Sequence, residues 1–331
     1  MRHASDAQNT LDTAYMPCER SYTICMCDYK LYLPVHKDIE MQYYGDVYRP
    51  PSEAYSLIIQ ATLGCSQNSC AFCSMYKNKN FYIRPTQDVI SDLKEVSASG
   101  YANRVRRIFL ADGDALIVKT EDLVRILDAC YHLFPSCERV TSYASPRSLL
   151  LKTDDELKDL RRHGLKMVYL GLESGNDAVL KMMRKGFTAE QIIEAGKKAK
   201  RAQIMLSVTA ISGLGGSRYM SEHALDTARV LSAMNPEYIG LLTLEIGPDT
   251  PLKQWVKNGE FNILTPKEVL LETKDLLSKL DSPGSIFRMN HASNYLNLAG
   301  TMNTDRQAMI KKIDAALSGE YELRPEWMRR L

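Results

Sequence analysis

From Tyr55 to Leu244 six short apolar runs recur, separated by amphipathic stretches. The runs are Tyr55–Leu63, Arg107–Ala111, Glu138–Ala144, Lys166–Leu172, Met205–Ile211 and Tyr238–Leu244. Between them the apolar positions return at helical spacing over Thr86–Val96, Thr120–Leu133, Asp154–His163, Asp177–Arg184, Ala189–Ala202 and Tyr219–Met234. Alternation of strand and helix predicts parallel strands joined by right-handed crossovers. The runs are apolar at nearly every position, as expected of strands covered on both faces. Polar residues recur at the carboxyl ends of most runs: a cysteine loop, Asp112 and Asp114, Ser142 and Ser145, Glu173, and Gly213–Gly216. An open doubly wound sheet gathers its site at one switch point, whereas a barrel draws on all its strand ends. The pattern therefore predicts an α/β fold, a partial (βα)6 TIM-type barrel over residues 41–246. Residues 247–331 form a C-terminal α/β extension closing it. Residues 1–40, polar and turn-prone, are read as an extension without clear periodicity.

The first run leads into Gly64-Cys65-Ser66-Gln67-Asn68-Ser69-Cys70-Ala71-Phe72-Cys73. Three thiolates on one loop can converge on a soft metal centre, and iron–sulfur clusters select such ligands. A structural zinc site wants four closed ligands, usually as two pairs, and no second pair follows nearby. Cysteines of no chemical consequence are the third reading. Cys18, Cys25 and Cys27 could build a second metal site or be incidental thiols. Cys130 and Cys137 stand beside no other ligand type and read as packing residues.

The chain has 331 residues, 45% hydrophobic and 25% charged, with 42 basic and 40 acidic side chains. A formal charge of +2 gives no global case for bulk nucleic acid or an anionic membrane. No apolar run approaches the ~18 residues a bilayer crossing needs. The N-terminal residues lack an apolar secretory core, and clustered ligand thiols suit a reducing compartment, so a cytoplasmic location is expected.

The cysteine loop after the first strand, with Phe72 just before the last cysteine, resembles the radical S-adenosylmethionine (SAM) superfamily. Its spacing here is Cys-x4-Cys-x2-Cys, one residue longer than the family's usual Cys-x3-Cys-x2-Cys. The resemblance implies that Cys65, Cys70 and Cys73 hold a [4Fe–4S] cluster whose fourth iron binds SAM. It implies that Asp112-Gly113-Asp114 stands where the family's GGE motif contacts the SAM amino group. Glu173, in a Gly-Leu-Glu-Ser-Gly segment shared with methylthiotransferase-like and coproporphyrinogen-oxidase-like branches, would lie near the SAM ribose or carboxylate. Ile211 and Gly213 match part of a segment near adenine, and Ser142 is a further strand-end candidate.

Simpler roles are open to each: a helix cap for Asp112, a rim ion pair for Glu173, a tight turn for the glycines, a strand-end hydrogen bond for Ser142. The expected activity is reductive cleavage of SAM to a 5′-deoxyadenosyl radical that takes hydrogen from a small-molecule substrate. An electron donor such as flavodoxin or ferredoxin would serve it, and the protein would be oxygen-sensitive. Alternatives are a tRNA-modifying enzyme of the same superfamily and a non-catalytic zinc- or iron–sulfur-binding protein. The run Arg288-Met289-Asn290-His291-Ala292-Ser293-Asn294 is dense in hydrogen-bonding side chains. Arg288 could grip a carboxylate or phosphate and His291 could move a proton, so this run is expected to cover the barrel opening and touch substrate.

Overall fold

The computed structural model describes residues 43–329. The predicted extension 1–40, with Cys18, Cys25 and Cys27, lies outside the described residues. The first apolar run divides into β1 (Leu57–Gln60) and β2 (Thr62–Leu63), and β2 pairs antiparallel with β3 (Tyr82–Ile83). Read from sequence, it was a single strand. The division falls at Ala61, whose N–H reaches Ala111 O while its own carbonyl accepts from Arg84 N. Arg84 also donates to Gln60 O at 2.8 Å, which holds the hairpin against the sheet.

Next come α1 (Thr86–Val96), β4 (Arg107–Ala111), α2 (Thr120–Leu133), β5 (Arg139–Ala144), α3 (Pro146–Leu151), α4 (Asp154–Arg162) and β6 (Leu165–Glu173). They are followed by α5 (Asp177–Met182), α6 (Ala189–Arg201), β7 (Met205–Ser212), α7 (Met220–Met234), β8 (Tyr238–Thr243) and α8 (Pro251–Lys257). The chain ends with α9 (Pro266–Lys279), β9 (Ile286–Met289), β10 (Leu298–Thr301) and α10 (Arg306–Leu317).

Helices α3 and α8 are absent from the sequence reading, being too short for a periodic signal. Each is started locally: Ser145 and Thr250 accept from backbone N–H groups of the first turn, and Pro146 and Pro251 follow them.

The sheet order is β1-β4-β5-β6-β7-β8-β9-β10. Neighbours are parallel through β9, and only β10 runs antiparallel. The six expected strands make the partial barrel. The C-terminal extension adds a seventh parallel strand and an antiparallel edge.

Strand β7 shows which face is which. Leu206, Val208 and Ala210 are fully buried, while Met205, Ser207, Thr209 and Ile211 are half-buried. A Cβ added at Gly196 of α6 would stand 3.1 Å from Leu206, so the Leu206 row faces the helices. The alternate row lines the concave face. Midway along β4 and β6 and near the end of β5 that face is filled by Phe109, Tyr169 and Tyr143, whose ring centroids lie 4.9 to 6.2 Å apart in edge-on contact. Below them buried Glu53 accepts from the Tyr169 hydroxyl and from Arg139 at 2.9 Å. Toward β7 and β8 the concave row becomes half-exposed, which leaves the barrel open on that side.

Candidate active site

The cysteine loop is held from three directions. Ala71 N donates to Met183 O just past α5, at 2.9 Å, and Ala71 O accepts from Leu252 N of α8, at 3.0 Å. Lys77 Nζ donates to Asn68 O and Cys70 O from within the loop. Gly64, at φ +69, turns the chain out of β2 in the left-handed region. Gly113 lets β4 approach: a Cβ there would stand 2.9 Å from Cys65 Cβ and 2.7 Å from the Tyr76 ring. Phe72 packs against an apolar cluster containing Val179, Met183, Leu214 and Leu252, with Ile211 alongside it.

Burial pushes the Cys65 thiol up to about 11, and Cys70 and Cys73 upward as well. Cys70 disfavours ionisation of Cys65, and Cys73 that of Cys70. Lys185 opposes this at all three thiols. Among the described residues no three His, Cys, Asp or Glu side chains stand close enough to hold a single metal ion. A cubane spreads its thiolate ligands over separate irons, so its cysteines need not meet at one point.

Asp112 is fully buried at the end of β4. Its Oδ2 accepts from Gln60 at 3.1 Å, Gly64 N at 3.3 Å and Lys79 at 3.2 Å. Its Oδ1 has no partner. Burial pushes this carboxyl up and Lys79 pulls it down. A buried acceptor with one free oxygen beside the cysteine loop suits an ammonium group. Asp114 differs. It accepts from Ser145 N at 3.0 Å, Ser145 Oγ at 2.7 Å and the Ser66 hydroxyl. Those bonds clamp the cysteine loop to the start of α3 and use both carboxylate oxygens.

Glu173 ends β6 at φ +64, in the left-handed region, where the β6–β7 register slips between Gly171 and Glu173. A strained non-glycine residue at a strand end points to a functional constraint. Its Oε1 meets Lys185 Nζ at 2.9 Å, with side chains only 14% and 11% exposed. Gly171 makes the room: a Cβ there would fall 2.1 Å from that oxygen. Lys185 is the residue that sequence reading missed. It follows α5 outside any periodic pattern, and only its approach to Glu173 and the cysteines marks it.

Ser142 is a correction. It pairs in register with Leu110 and Val168, on the row that continues to Leu206 and faces the helices. Its hydroxyl donates to Tyr143 O at 2.9 Å. The residue turned to the concave face is Tyr143. Ile211 lies on the concave row of β7. Gly213, at φ +84, donates its N–H to Glu272 Oε2 of α9 at 2.7 Å, so the glycine turn is anchored from behind.

Arg288 lies on β9 opposite Gly240 of β8 and is exposed, whereas Phe287 and Met289 are fully buried on the other face. It therefore sits on the concave face. His291 is half-buried in the following loop, where its Nδ1 accepts from Ser293 N at 3.1 Å. Burial lowers its pKa, with Arg324 adding to the effect, so the ring is neutral at pH 7 with its proton on Nε2. Ser293 and Asn294 are fully buried and bond Thr243 and Leu241 of β8. Ser293 and Asn294 thus secure the sheet, leaving Arg288, Asn290 and His291 for other work.

The radical SAM superfamily model matches residues 59–228, which is 170 of the 331 residues. The chain belongs to the radical SAM superfamily. It is an enzyme of that family, with a [4Fe–4S] cluster and SAM as its cofactors.

A putative methylthiotransferase of Methanocaldococcus jannaschii is 26% identical over 50% of this chain and 35% of its own length. A tRNA-2-methylthio-N(6)-dimethylallyladenosine synthase of Chloroherpeton thalassium is 23% identical over 63% of this chain and 46% of its own. A 4′-phospho-dehydrooxetanocin synthase of Priestia megaterium is 24% identical over 57% and 28%. The chain thus spans less than half the length of these curated relatives. In fold it is similar to methylornithine synthase, at a TM-score of 0.50 and 14% identity, covering 79% of this chain and 81% of that one. Among the described residues no helix is long and apolar enough to cross a membrane.

Proposed function

We propose that this radical SAM enzyme abstracts hydrogen from a small-molecule substrate held on the concave face of the barrel. Cys65, Cys70 and Cys73 would hold the cluster, and the free Oδ1 of Asp112 would receive the SAM amino group. That unpartnered, fully buried oxygen beside the cysteine loop is the observation that carries the reading. The chemistry supplied when both cofactors are bound is one-electron cleavage of SAM to methionine and a 5′-deoxyadenosyl radical.

The chain's own residues do the rest. Gly113 sets the distance between β4 and Cys65. Phe72 and Ile211 would form the apolar wall against adenine, excluding water from the reacting centre. The Glu173–Lys185 pair keeps a cation beside thiols that must ionise to bind iron. Neutral His291 would donate a hydrogen bond to substrate through Nε2–H, and Arg288 would bind an anionic group. A one-electron donor such as flavodoxin or ferredoxin would supply the reductant, and the five free cysteines among the described residues suit a reducing cytoplasm.

Anaerobic reconstitution followed by incubation with SAM and dithionite tests the reading. The expected product is 5′-deoxyadenosine, and a fully loaded protein that forms none overturns it. A second reading, tRNA modification, rests on the named activity of one group of relatives. Submicromolar, salt-sensitive binding to bulk tRNA would favour it over the small-molecule reading.

A further inference from the structure

The strand register lays one row of residues across the open part of the concave face: Gly171 of β6, Thr209 of β7, Gly240 of β8 and Arg288 of β9. Two of the four have no side chain. A Cβ at Gly240 would meet only Thr209 Oγ1 at 3.8 Å and Val208 O at 3.9 Å, so the floor there is open. At one end the Glu173–Lys185 pair folds over Gly171, with Lys185 acting on the cysteine thiols. At the other end stands Arg288. Exposed arginines elsewhere are engaged: Arg106, Arg125, Arg162, Arg201 and Arg229 pair with carboxylates, and Arg104, Arg147, Arg184 and Arg218 lie over aromatic rings. Arg288 bonds only the neighbouring Phe287 O, at 3.1 Å, and no carboxylate of the described residues lies within ion-pair distance.

We propose that this row is a binding lane for an elongated small molecule with a terminal oxyanion, a carboxylate or a phosphate, held by Arg288. Three strand spacings separate the ends, about 14 Å, so the reacting carbon lies toward the cysteine loop while the anion is fixed far from it. A guanidinium suits that task because it grips two oxygens at once and stays charged. The inference rests on the substrate site proposed above and adds the class of substrate.

The test is phenylglyoxal modification of the cluster-loaded protein, read residue by residue by peptide mass spectrometry, with chloride at matched ionic strength as the blank. Suberate and octyl phosphate probe the whole lane, and acetate and inorganic phosphate probe the guanidinium alone. The expected result is slower modification of Arg288 with each anion, by about tenfold with the long probes, equivalent to one good charged contact plus lane packing. Exposed Arg147, which stacks on Phe187, serves as the internal control and stays unprotected.

Gly240→Phe removes the advantage of the long probes but keeps protection by the short ones. Thr209→Leu is the second lane-filling variant should the first not fold. Stronger protection by suberate assigns a carboxylate substrate, and by octyl phosphate a phosphate. Equal protection at Arg147, no protection at Arg288, or a long-probe advantage that survives both variants overturns the lane. Protection without 5′-deoxyadenosine formation keeps the lane and overturns the radical reading. The reverse outcome overturns only the lane.

Discussion

Replacing Gly171 with alanine puts a single methyl group into the Glu173–Lys185 contact. The new carbon would stand 2.1 Å from Glu173 Oε1 and 3.1 Å from Lys185 Nζ. Ordinary contact needs about 3.5 Å, so the carboxylate must swing away by more than about 1 Å. Glu173 and Lys185 must both give way at their free ends, so the 2.9 Å ion pair has to lengthen or re-aim. An exposed pair contributes about 0–1 kcal/mol, whereas breaking a buried one costs about 3–5 kcal/mol. With 14% and 11% of the two side chains exposed, this pair stands nearer the buried case. Gly171→Ala should therefore cost about 2–3 kcal/mol.

The assay is urea denaturation of the metal-free protein followed by circular dichroism. Lys185→Met removes the same pair and should cost a similar amount. The double variant should lose little more than the worse single one, giving a coupling of about 2 kcal/mol. Costs that add to within about 0.5 kcal/mol, or a Gly171→Ala protein as stable as the parent, would refute the idea that Gly171 exists to admit this pair.

Changing Cys65, Cys70 or Cys73 to alanine should each remove most of the bound iron, while Cys130→Ala and Cys137→Ala should leave it unchanged, as read by iron analysis of anaerobically reconstituted protein. Asp112→Ala should keep the cluster but weaken SAM binding by about 10- to 100-fold, the worth of one hydrogen bond to a charged group, measured by equilibrium dialysis; parental affinity would make Asp112 purely structural. Burial raises the Glu272 carboxyl above its ordinary range despite bonds from Ser212 and Gly213. The folded chain then holds a proton that the unfolded chain has released, so this residue's contribution to stability should fall as pH rises from the ordinary carboxylate range. Glu272→Gln should flatten that slope in denaturation curves taken at successive pH values.

The six strand–helix repeats were legible because each apolar run was long enough to declare itself. The cysteine loop was legible because three thiols in nine residues need an explanation. Which face a strand residue takes was not. Arg139–Ala144 reads with no clean apolar–polar alternation in sequence, so Ser142 and Tyr143 cannot be told apart there, and only pairing with Leu110 and Val168 fixes them. Lys185 and Glu272 were missed for a related reason. Each gains its role from a partner 12 or 60 positions away in sequence, Glu173 or Ser212. Asp112 and Asp114 look equivalent in sequence. They separate only when the bonds of each are counted, one keeping a free oxygen and the other none.

Ala71 has a consequence for how the protein matures. Its two backbone partners, Met183 and Leu252, lie 112 and 181 residues further along the chain. A ribosome therefore releases all three cysteines long before either support for their loop has been made. Closing so distant a contact is slow, since its entropy cost comes before any reward. Iron–sulfur loading should accordingly follow completion of α8. Chains ending at residue 246, just past β8, should take up cluster poorly even though every cysteine of the loop is present.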